Sequence, residues 1–129
     1  MALAVVVAAQ TASSTEAEAL YEKGETALSQ GNYAEAQQAY EKLIKVAPGV
    51  AEALAKLGVI YFQQGKFEEA VPVLQRALKL KPGLPNTDVL LAMSLSEMGR
   101  YNEALPGLEK GFKKSSDPAL KRMAGLQLD

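Results

Sequence analysis

Glu18, Glu22 and Glu25 are spaced by four and three, which puts three carboxylates on one side of a helix. Such a row can meet Lys or Arg on a ligand. If it lies near a helix N-terminus, the helix dipole alone accounts for it. Glu68 and Glu69 are adjacent and diverge on a helix, so they cannot serve one substrate as paired acid and base. Gly65-Lys66 has the look of a phosphate loop. However, no Ser or Thr follows and the earlier Gly58 is at the wrong spacing, so the pair reads as a turn. Lys110, Lys113, Lys114, Lys121 and Arg122 form a basic cluster near an expected helix C-terminus, where cations are favoured. The chain has no Cys and no His, which removes thiolate and imidazole catalysis and any zinc site built on sulfur or nitrogen. Fourteen basic against fifteen acidic residues give a net charge of −1, too little positive charge for a nucleic-acid surface. No enzyme, cofactor or metal site is expected.

The elements that would position these side chains follow from a repeat. Gly31-Asn32-Tyr33-Ala34-Glu35-Ala36, Gly65-Lys66-Phe67-Glu68-Glu69-Ala70 and Gly99-Arg100-Tyr101-Asn102-Glu103-Ala104 recur at a spacing of 34. A period of that length means one supersecondary unit stacked on copies of itself. The units run over 17–50, 51–84 and 85–118, and each reads as two helices. In the middle unit Leu54, Leu57, Gly58 and Tyr61 mark the inner face of the first helix, and Phe67, Ala70, Leu74, Ala77 and Leu78 that of the second. Gly65 ends the first helix, and Pro48-Gly49 and Pro82-Gly83 end the second helices. Such short connections make successive helices antiparallel. Gly24, Gly58 and Ala92 face Ala36, Ala70 and Ala104 and let the paired helices approach closely. Tyr33, Phe67 and Tyr101, with Tyr40, Leu74 and Leu108, are expected to fill the space beside them. The fold class is therefore all-α, a solenoid of three antiparallel helix pairs.

This period and pattern resemble the tetratricopeptide repeats. The middle unit matches best, with Leu54, Leu57, Gly58, Tyr61, Ala70, Leu74, Ala77 and Pro82 in place. The first unit departs at Lys23, Ala27 and Leu43, and the third at Asp88, Ala92, Gly111 and Ser116. The resemblance implies a right-handed superhelix whose first helices line a concave groove that holds a protein or peptide, without catalysis. Its groove positions are Glu18, Tyr21, Glu22, Glu25, Leu28 and Ser29 in the first unit, then Glu52, Ala55, Lys56, Val59, Phe62 and Gln63. The third unit supplies Asn86, Val89, Leu90, Met93, Ser96 and Glu97. Val59, Phe62, Val89 and Met93 are apolar yet lie off the repeated core face, which makes them candidates for a partner site. Phe62 is the leading single candidate. One branch of the family clamps acidic C-terminal tails of chaperones with Lys, Asn and Arg. Here those positions hold Tyr21, Glu25, Lys56, Asn86 and Leu90, where only Lys56 could serve and Glu25 would repel a carboxylate.

The two termini are less determined. Residues 1–15 carry no charge and Ala2 to Ala9 is wholly apolar, too short a run to span a bilayer. The run reads either as an export-signal remnant without its basic leader, or as a degenerate second helix capping the stack. The export reading, which is preferred, would place the chain in the periplasm or outside the cell rather than in the cytoplasm. Leu120, Met123, Leu126 and Leu128 suggest a C-terminal helix over 119–129, the start of a truncated or capping element. Two alternatives to a partner-binding adaptor stand: a module that self-assembles through its apolar termini, and an accessory domain of a larger protein.

Overall fold

The computed structural model describes the backbone of residues 2–114 and the side chains of residues 15–111. The described backbone holds six helices: α1 (Ala2–Ser29), α2 (Tyr33–Val46), α3 (Ala51–Gln63), α4 (Phe67–Leu80), α5 (Thr87–Glu97) and α6 (Tyr101–Lys114). They pack as the pairs α1/α2, α3/α4 and α5/α6, and each pair stacks on the next through α2 against α3 and α4 against α5. The result is an all-α solenoid of helix pairs.

Each pair turns in the same way. Gly31, Gly65 and Gly99 have φ of +75°, +75° and +78°, and a Cβ at any of them would meet nothing within 4 Å. The requirement is therefore conformational rather than steric. The next residue closes the helix end: Asn32, Lys66 and Arg100 donate their backbone N–H to the carbonyls of Ala27, Tyr61 and Leu95, each at 2.8 Å. This bond, running from a residue to the fifth one before it, is the Schellman stop.

Within the pairs, small residues meet large ones. A Cβ on Gly24 would lie 2.6 Å from the Tyr40 ring, and one on Gly58 would overlap Leu74. Ala36, Ala70 and Ala104 are buried beside them. Ala70→Leu is expected to cost about 1 to 3 kcal/mol through overpacking, read as a lower urea midpoint. The third pair reverses the arrangement. A Cβ on Gly111 of α6 would overlap Val89 of α5, and one on Gly107 would stand 2.9 Å from the Asp88 carbonyl. The departures are thus compensated across the pair, Ala92 by Gly107 and Gly111 by Val89: the second helix supplies the hollow and the first supplies the bulk. Tyr33 and Tyr101 do not fill the core. They begin α2 and α6 at the turns and are 39% and 68% exposed, whereas Phe67 is held by the ring of Phe62.

The two ends of the stack differ. Where α3 presents buried Ala53, Leu57 and Ile60 to α2, the matching residues of α1 are Ala19, Lys23 and Thr26, all exposed. At the other end, Leu105 of α6 is 52% exposed, while its counterpart Val71 is 4% exposed against α5. The N-terminal segment continues α1 without a turn, so it does not form a separate second helix folded onto the stack. The expected helix over 119–129 lies outside the described residues.

Candidate functional site

Apolar residues of α3 and α5 that are not fully buried meet in a hollow of about 560 Å³ between these two helices. Its floor is Ala55 and Val59 from α3 with Val89, Leu90 and Met93 from α5, and Glu52, Lys56 and Asn86 stand around it. Met93 is 41% exposed, an unbranched and adaptable side chain open to solvent. Leu84 and Pro85 of the connection into α5 and Thr87, its first residue, also line the hollow. The groove register does not include them, because α5 starts at Thr87 whereas α3 starts at Ala51, the counterpart of Pro85. Asn86 takes φ +62° in this connection, a left-handed conformation that Asn tolerates better than most residues. Pro85-Asn86 was the one local signal for that late start.

The other expected groove residues are placed differently. Phe62 is half-buried and does not line the hollow. Its ring meets Phe67 edge-on, with centroids 5.4 Å apart at 72°, and this pair bridges the α3–α4 turn. Gln63, at the end of α3, is exposed. Leu28 packs against the first core cluster. Tyr21 packs there too, edge-on to Tyr40 at 5.8 Å, and lines a second hollow of about 440 Å³ with Ala17, Glu18, Leu43, Val46, Ala47 and Val50. Glu18 is the only carboxylate of that hollow.

Charge on this face is largely internally paired. The buried Tyr40 hydroxyl donates to Glu25 Oε1 at 2.6 Å, and Lys56 Nζ lies 3.4 Å from the same oxygen, tying α1 to α3. Lys81 Nζ donates to Glu52 Oε2 at 2.9 Å, and this bond holds the Glu52 carboxyl below its usual range. Burial, with the charges of Glu25 and Glu52, raises the Tyr21 phenol. Burial raises Tyr40 further, with the Glu25 hydrogen bond second. The acidic row Glu18, Glu22 and Glu25 lies in the C-terminal half of α1, not near its N-terminus, so the helix dipole does not account for it. In the basic cluster, Lys110 pairs with Asp88 Oδ2 at 3.1 Å, while Lys121 and Arg122 lie outside the described residues. Among the described residues no group of three or more Asp or Glu could hold a metal ion, and no helix is long and apolar enough to cross a membrane.

Family models described as tetratricopeptide repeat match residues 21–85 and 61–126. No curated protein matches the chain significantly. Among solved structures, the N-terminal domain of stress-induced protein-1 (STI-1) from C. elegans superposes with a TM-score of 0.73 at 18% identity, over 92% of this chain and 98% of that one. The second TPR of Spaghetti (RPAP3), bound to an HSP90 peptide, gives 0.73 at 20% identity, over 81% and 99%. MamA gives 0.70 at 26% identity over 75% of this chain, which spans only 57% of MamA. With its 34-residue period, three Schellman turns, three stacked helix pairs and a family model matched over half its length, the chain belongs to the tetratricopeptide repeat family.

Proposed function

We propose that the chain is a protein-interaction module of three units, 17–50, 51–84 and 85–118, which holds a peptide segment of a partner in the hollow between α3 and α5. One observation carries this reading: Val59, Leu90 and Met93 line an apolar hollow that stays open to solvent, although none of the three belongs to the buried core of the helix pairs. An apolar surface kept open on a stable scaffold is where an extended segment can bury its side chains. The Spaghetti structure supports the general mode, since a peptide occupies a domain of the same fold there. Its peptide, SRMEEVD, is acidic and is not the ligand expected here. Lys56 is paired with Glu25, so a carboxylate would find no free cation at that point.

The test is capture of partners from source-cell lysate with the whole chain, compared with Val59→Glu, Met93→Glu and, as a control on the exposed face of α2, Gln38→Glu. Each groove variant is expected to lose at least about tenfold in captured partner, because a buried carboxylate against an apolar floor costs more than about 1.4 kcal/mol. Circular dichroism should stay unchanged, since both residues are part-exposed. A partner retained by the groove variants and lost by the control would place binding elsewhere.

A further inference from the structure

Resting on that reading, we propose that the groove selects a two-part segment: Lys or Arg at one end, over α1, and an apolar anchor at the other, over α3 and α5. The gradient is visible in residues one repeat apart. One register position reads Glu22, Lys56, Leu90, and another reads Glu25, Val59, Met93. The first unit is acidic where the third is apolar.

The acidity is not background, since the chain as a whole carries only −1. Five carboxylates, Glu18, Glu22, Glu25, Glu52 and Glu97, stand on this face against two lysines, and four of the five belong to the first two units. Both lysines are engaged, Lys56 with Glu25 and Lys81 with Glu52. Among the described residues Glu18 and Glu22 take part in no ion pair. They also lie far from the first turn of α1, the one place where the dipole would favour negative charge, so the helix gains nothing from them. Glu18 further borders the otherwise apolar hollow beside Tyr21, where a Lys or Arg stem could lie on apolar walls with its cation on the carboxylate. Packed helices stand about 10 Å apart, so the acidic and apolar ends are separated by about 20 Å. An extended chain covers that in about six residues.

The experiment selects a displayed library of random 12-residue peptides on the whole chain at physiological salt. The same selection is run on Val59→Gln/Met93→Gln and on Glu18→Lys/Glu22→Lys, with folding of both variants checked by circular dichroism. Wild type is expected to enrich peptides with at least about threefold more Lys and Arg than Asp and Glu in one half, and an apolar residue about six positions away. The glutamine variant should lose these peptides. The lysine variant should keep the apolar preference and lose the basic one. If peptides lost by the glutamine variant show no basic excess, the charge inference falls while the groove reading stands. Peptides that bind the glutamine variant equally well, or no enrichment over the input library, would remove both.

Discussion

Gly58→Val is expected to destabilise the fold by about 3 kcal/mol, a large share of the 5 to 15 kcal/mol that a domain commonly has. The cause is local. Gly58 is buried in α3, and the first atom of any side chain there would overlap Leu74, which is fully buried in α4 and has nowhere to turn. The gain in helix propensity on leaving glycine opposes this, but for valine it is only a few tenths of a kcal/mol. The effect should be relieved from the other side. Leu74→Ala alone costs about 2 to 5 kcal/mol as a cavity, yet in the double variant the valine occupies part of that cavity. The pair should therefore cost at least about 2 kcal/mol less than the sum of the singles in urea unfolding. Additivity within about 0.5 kcal/mol would mean that the two residues do not share this contact.

Tyr40→Ala is expected to cost about 3 to 5 kcal/mol and Tyr40→Phe about 1 kcal/mol. Tyr40 is the largest fully buried side chain described, and its ring lies over Gly24 and meets Tyr21, so most of its contribution is packing. The phenylalanine variant removes only the bond to Glu25, whose carboxylate is part-exposed and can turn to water. The same phenol sets an alkaline limit. Burial and the Glu25 hydrogen bond raise its pKa above the ordinary 10.0, so the folded chain keeps a proton that the unfolded chain gives up. The stabilisation is complete below pH about 10 and is lost as pH rises from there towards the folded value, by up to about 1.4 kcal/mol per pH unit. Tyr21 and Tyr61 are raised by burial as well, so Tyr40→Phe should flatten the alkaline fall without abolishing it. A fall of equal slope in the variant would show that Tyr40 is not the group responsible.

What repeats could be read directly, and what occurs once could not. The turn glycines and the close approach of the paired helices at Gly24 and Gly58 follow from the period, which sets these two against Ala36 and Ala70, whereas the atoms that a Cβ there would meet first belong to Tyr40 and Leu74. The groove register likewise brings Ala55, Lys56, Val59, Val89, Leu90 and Met93 to one hollow. Phe62 was misplaced because its partner, Phe67, lies across the turn of its own repeat, and the first and third units carry Leu28 and Ser96 at its place. The aromatic pair therefore exists in one unit only. The contribution of Leu84, Pro85 and Thr87 was missed for a similar reason, since the left-handed Asn86 and the delayed start of α5 have no counterpart in the other units. The position of the acidic row within α1 was misjudged because the helix begins well before the first unit.

The reversal of bulk and space in the third pair bears on how the chain reaches its fold. Helices built on one repeat pattern invite exchange: α5 could dock on α4 before α3 does and trap the chain in a mispaired state. The side chains oppose that error. In an α5/α4 pair built like α3/α4, Ala92 would bring a Cβ to the place where Gly58 has none and meet Leu74, and Val89 would press on Ala77 where it otherwise faces Gly111. Each helix thus fits its own neighbour better than its neighbour's neighbour. Small changes at Gly58, Ala92 and Gly111 act as addresses, directing correct assembly among segments that share one packing pattern.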